Sequence, residues 1–184
     1  MAICKKIADK VGFTPRNLVG YTDVELTKIE DFYGICIIGQ LKEFFKVMGR
    51  SSGNVQFNCF LIAYTGYHTK HSPATVSGHV ASQLDFRGKL LGHARPFLTG
   101  SPFLFAIEYE TQYMFLRTKA DQPLRSIVPN DDYSSLSADP NIIYRFDENT
   151  GLVENTGICL EDYLVGETAE EPSKTCGAGE MINI

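Results

Sequence analysis

Ser51 sits in Gly49-Arg50-Ser51-Ser52-Gly53, which matches the G-x-S-x-G pattern of a hydrolase nucleophile elbow. That pattern works by exposing a serine on a strained strand-to-helix turn. Here an amphipathic helical pattern precedes it, so the order is reversed and a helix terminus followed by a loop is the better reading. His68 and His71 are three apart, with His79 further on. A zinc site needs four ligands, or three and a water. Cys59 lies in an apolar run and no nearby acid completes the set, so these read as solvated loop histidines. His93 beside Arg95-Pro96 reads as a surface residue. Glu108 and Glu110 are two apart in a strand pattern, hence on one face. An exposed sheet face explains them as well as glycoside chemistry would. Phe103, Tyr109, Tyr113 and Phe115 imitate a base-stacking platform, but the acidity around them opposes nucleic acid and core packing accounts for them. Neither G-x-x-x-x-G-K-[ST] nor G-x-G-x-x-G is present. No catalytic set, metal site or cofactor is expected.

The elements that would position these groups follow from spacing. Ile3, Ile7 and Val11 recur at helical intervals and stop at Gly12. Thr22-Asp23-Val24-Glu25 has the form of a capping box. Leu26, Ile29 and Tyr33, with Phe32 beside them, then make one apolar stripe that ends at Gly34. Leu41, Phe44, Phe45 and Met48 fall at i, i+3, i+4 and i+7, the pattern of a core-facing helix ended by Gly49. Residues 54–64 suit a buried strand and 65–77 a loop. A helix is expected from about Ser77 to Leu91 through Val80, Leu84 and Leu91. Residues 103–109 and 112–117 alternate as a hairpin about Glu110-Thr111. A polar loop with three prolines spans 121–141. Residues 142–147 and 152–154 flank Glu148-Asn149-Thr150-Gly151 as a second hairpin, and Leu160, Tyr163 and Leu164 suggest a last helical turn or two. The expectation is one α+β domain over 1–165 and an acidic, flexible tail over 166–184.

At 184 residues, one domain can bury roughly 70% of its unfolded surface. The first eleven residues alternate charged and apolar types, so no signal peptide is expected, and no apolar run approaches the ~20 residues of a membrane span. Five widely spaced cysteines without a C-x-x-C pair point to a reducing compartment, and the chain reads as cytoplasmic. The net charge of −5 hides a segregation. Residues 1–120 carry 14 Lys/Arg and 9 Asp/Glu, a net of +5, while 121–184 carry 3 and 13, a net of −10. Such a field repels nucleic acid and attracts a basic partner.

Three segments together resemble the SUKH superfamily, which takes in fungal Knr-type cell-wall regulators and many bacterial immunity proteins. The first runs from Ile29-Glu30 through Gly34 to Leu41-Lys42-Glu43-Phe44-Phe45 and Gly49–Gly53. The second is Pro102–Ile107 with Tyr113-Met114-Phe115-Leu116. The third is Ile142, Tyr144, Phe146 and Asp147 with Leu160–Leu164. The chain departs from the pattern in having no proline before its second signature helix and no tryptophan.

The resemblance implies an α+β fold with helices packed on one face of a twisted, largely antiparallel sheet. It also implies a structural role for Glu30, no shared catalytic residues, and toxin neutralisation by binding. The partner expected on that basis is a cognate toxin domain, basic and of nuclease or nucleotide-modifying type. A non-enzymatic Knr-type regulatory scaffold is the alternative, and a small hydrolase using Ser51 the third reading. Charge and loop position, not the resemblance, select the partner-facing residues: Asp121, Asp131, Asp132 and Asp139 with Tyr133 as anchor, and the hairpin pair Asp147 and Glu148.

Overall fold

The computed structural model describes residues 2–58, 60–61, 76–93, 102–118 and 139–172, with side chains from Ser82 onward in the helix that spans Val76–Gly92. Three helices come first: α1 (Ala2–Val11), α2 (Asp23–Tyr33) and α3 (Gly39–Met48). In α2 the Glu25 amide donates to Thr22 Oγ1 (3.3 Å) while the Thr22 amide donates to Glu25 Oε2 (2.8 Å), the reciprocal pairing that spacing implied. Gly34 ends α2 in the left-handed region at φ 63°. Glu30 accepts the Ile37 amide on Oε1 (2.6 Å) and so holds the loop that leads into α3. The core faces of α1 and α3 are those read from their spacing, with Ile3, Ile7, Leu41, Phe44, Phe45 and Met48 buried. Gly20 is required by a close approach: a Cβ there would lie 1.8 Å from the Lys46 carbonyl oxygen. That approach lets the Tyr21 amide donate to Phe45 O (2.9 Å) at the end of α3.

The sheet follows as β1 (Phe60–Leu61), β2 (Pro102–Glu108), β3 (Gln112–Arg117), β4 (Ile142–Asp147) and β5 (Leu152–Cys159), with α4 (Val76–Gly92) between β1 and β2 and α5 (Leu160–Glu167) after β5. All neighbours are antiparallel and spatial order equals chain order. Alternation sorts the side chains onto two faces. Phe103, Phe105, Met114, Leu116 and Ile143 join α1, α2, α3 and α5 in one core. Leu104, Tyr113, Phe115, Tyr144 and Phe146 form a second core under α4. A register shift between Leu104 and Ala106 puts Phe105 and Ala106 into the same core.

The fold is therefore α+β with an antiparallel sheet, as the sequence suggested. The one-face arrangement holds for four helices, and α4 takes the opposite face alone. Its buried residues also differ from those expected. Leu84 and Leu91 are 63% and 54% exposed, while Phe86 and Leu90 are buried. Phe86 stacks on Tyr113 (5.7 Å between centroids, 18° between planes) and lies 5.2 Å from Phe115. Gln83 shares that buried face because its amide bonds both backbone groups of Leu104, donating to O (2.6 Å) and accepting from N (3.1 Å).

Two further expectations need correction. Among the described residues of the run 54–64, only Phe60–Leu61 is strand. Before it the chain turns, with Val55 N donating to Ser52 O (2.9 Å), and then pairs with the segment after α5: Asn58 N donates to Glu167 O (2.7 Å) and Ala169 N to Gln56 O (2.8 Å). The same pairing carries the folded unit past residue 165. Thr168 is buried and bridges Phe57. Residues 173–184 lie outside the described set.

Candidate functional site

The Ser51 segment follows α3 and hugs the chain at Val19. The Arg50 and Ser51 amides both donate to Val19 O (2.8 and 2.9 Å). Ser51 is only 4% exposed and its Oγ accepts the Gly53 amide (3.1 Å). Ser52 Oγ donates to Val55 O (2.7 Å), and Arg50 pairs with Glu25 and lies over the Tyr21 ring (5.2 Å). The segment closes a loop in the core and does not present a nucleophile.

The expected partner-facing residues divide. Asp121, Asp131, Asp132 and Tyr133 lie outside the described residues. Asp139 is spent locally: its Oδ1 accepts both the amide (2.9 Å) and the Nδ2 (2.8 Å) of Asn141. Asn141 in turn accepts the Gln40 amide on Oδ1 (2.8 Å) and the Leu160 amide on its carbonyl (2.8 Å). Asp139 thus anchors the starts of α3 and α5. His68 and His71 lie outside the described residues, as does the side chain of His79. His93 is exposed and packs edge-on to Phe146 (5.5 Å).

Asp147 and Glu148 are brought together with a second hairpin. The β2–β3 turn and the β4–β5 turn lie side by side, lashed by Glu148 N donating to Thr111 O (3.0 Å) and Asn149 Nδ2 donating to Thr111 Oγ1 (3.2 Å). Asp147 Oδ1 accepts the amides of Asn149 (2.8 Å) and Thr150 (3.3 Å), which shapes its own turn. Glu148 accepts Lys89 Nζ (2.5 Å) and Tyr113 OH (3.0 Å). The Lys89 ammonium holds the Glu148 carboxyl below the usual carboxylate range, and Glu148 in return raises Lys89. Burial raises the Tyr113 hydroxyl. Arg145 pairs with Glu154, and Glu108 accepts the Tyr163 hydroxyl (2.5 Å). Glu108, Glu110, Asp147, Glu148 and Glu154 thus share this end with Lys89 and Arg145. Five carboxylates against two cations leave a surplus of three negative charges among the described residues.

Glu110 does not share a strand face with Glu108, because β2 ends at Glu108. Tyr109 and Glu110 both have positive φ, 47° and 64°. That region costs about 1–2 kcal/mol for each residue with a Cβ. Tyr109 is 83% exposed, whereas Tyr113, Phe115 and Phe103 are buried as core packing required. Sequence reasoning grouped Tyr109 with those core aromatics; the detectable signal was its place at the start of the turn.

Among the described residues no group of three or more His, Cys, Asp or Glu is placed to hold a metal ion, and no helix is long and apolar enough to cross a membrane. Comparison with known proteins gave no matching family model, no matching curated relative and no matching solved structure.

Proposed function

We propose that this chain is a non-enzymatic binding protein of the SUKH type that neutralises a basic toxin domain in the cytoplasm by covering its active site. The observation that carries this reading is the carboxylate surplus on the two lashed hairpins. A surplus of fixed charge at one end steers a basic partner, raising the association rate and selecting against like-charged surfaces more than it adds affinity. The burial of Ser51 supports this reading over a hydrolase that would use that serine.

The test is co-expression and titration with the product of the adjacent open reading frame. Rescue of growth from that product, and a complex that weakens steeply with salt, are the expected results. Absence of both the complex and the rescue rejects the reading. Charge reversal at Glu110 and Asp147 is expected to slow association several-fold at low salt and far less at high salt, where the Debye length falls to about 3 Å at 1 M. An unchanged association rate places the interface elsewhere.

A further inference from the structure

We infer that Tyr109 is the anchor by which the hairpin end holds its partner, its ring seated in an apolar recess rimmed by Lys or Arg on a basic protein surface. The inference rests on the occlusion reading above and names the contact that reading left open.

Three features of the turn converge on it. First, a turn with two consecutive residues at positive φ is met without cost by Asn-Gly, yet this chain places Tyr and Glu there (φ 47° and 64°). Second, folding buries little of the tyrosine side chain. The ring is 83% exposed, and among the described residues it takes part in no ring contact. The other aromatics of the two hairpins are buried. A side chain that burdens the backbone and stays largely exposed among the described residues is the kind retained for a contact outside them.

Third, the ring's base is fixed. Thr111 Oγ1 donates to Tyr109 O (3.4 Å), and Thr111 is itself bound to Glu148 and Asn149 of the neighbouring hairpin. Tyrosine has two side-chain torsions, so ordering it on binding costs little, and a pre-set backbone lowers that cost further. The surrounding surplus of carboxylates selects a basic rim for the recess.

The experiment titrates the purified product of the adjacent open reading frame with wild type, Tyr109→Ala, Tyr109→Phe and Tyr109→Gly, with thermal unfolding of each variant. Tyr109→Ala is expected to weaken the complex about 30-fold or more, mainly through faster dissociation, with the salt slope unchanged. Tyr109→Phe, which keeps the ring, is expected to stay within about fivefold of wild type. Tyr109→Gly is expected to raise the unfolding midpoint while binding as weakly as the alanine variant. A merely structural tyrosine would lower it.

Binding by Tyr109→Ala within threefold of wild type overturns the anchor while leaving the occlusion reading standing. A lower midpoint for Tyr109→Gly overturns it as well. Failure of the wild-type chain to bind at all rejects the occlusion reading and the anchor with it.

Discussion

Glu110 shares the left-handed turn with Tyr109 but carries no ring, so it isolates the backbone cost. Glu110→Gly removes a Cβ from φ 64° and adds some freedom to the unfolded chain, for a net gain of about 0.5–1 kcal/mol. In a chain of this size that is roughly 1–4 °C in Tm, measurable by calorimetry; a fall in Tm would mean that the turn is not burdened. Asp139 makes the opposite case. Its loop position and charge suggested a partner contact, yet its carboxylate holds Asn141, on which α3 and α5 both begin. Asp139→Ala is expected to lower stability by about 1–2 kcal/mol, the scale of a lost cap, and to leave binding in the titration unchanged. Charge was legible from the sequence at Asp139, Asp147 and Glu148, but a carboxylate's commitments are not. Those depend on donors that arrive from residues as distant as Lys89 and Tyr113. Tyr109 was hidden for a related reason: alternation continues β2 through it, and only the backbone shows that the strand stops at Glu108.

Elements built on local spacing were the most readable. The capping box at Thr22, the stripes of α1 and α3 and both hairpins are where residue types placed them, because each is determined within a few residues. The helix before β2 was found but rotated. Leu84 and Leu91 looked like its core face, whereas Phe86, Leu90 and a glutamine occupy it. A polar residue at a buried position defeats apolar counting unless its partner is known, and the partner of Gln83 is the Leu104 backbone at the β2 irregularity. Gln83→Ala removes the partner of both an N–H and a C=O in the core. The expected loss is about 2–4 kcal/mol, read as a lower urea midpoint with an unchanged m-value; a loss under 1 kcal/mol would show that those groups find other partners. The segment before β1 was misread because Val55 and Phe57 are apolar and buried without being strand. Val55 closes a local turn onto Ser52, and the bridge partner of Phe57 is Thr168, just after α5 and more than a hundred residues away. The length of β5 was underestimated because Asn155-Thr156-Gly157 breaks the alternation. There Thr156 Oγ1 donates to Ile143 O (2.8 Å).

For the whole molecule, acid response follows from carboxylates held by cations and amides. Lys46 lowers Asp23, the Thr22 amide lowers Glu25, Lys89 lowers Glu148 and Lys6 lowers Asp162. Each titrates lower folded than unfolded, so each stabilises above its unfolded value, 4.5 for Glu and 3.8 for Asp, and that contribution is lost as pH falls through the folded value. Glu167 runs the other way, raised by burial and by Glu108, so protonating it favours the fold. With four groups against one among the described residues, Tm is expected to hold from pH 7 to about 5 and to fall below about 4.5; a Tm that climbs toward pH 3 would overturn this balance. The first and last described helices are also joined. Lys6 bonds Glu161 and Asp162 across 155 and 156 positions, and Lys10 caps the last carbonyls of α5 at Val165 (2.7 Å) and Gly166 (2.6 Å). The seat of α1 is therefore incomplete until α5, some 155 positions further along, has been synthesised, roughly 8–30 s later at ordinary synthesis rates. Ile3 and Ile7 are only partly covered through that wait, which makes the nascent α1 segment a natural client for a chaperone.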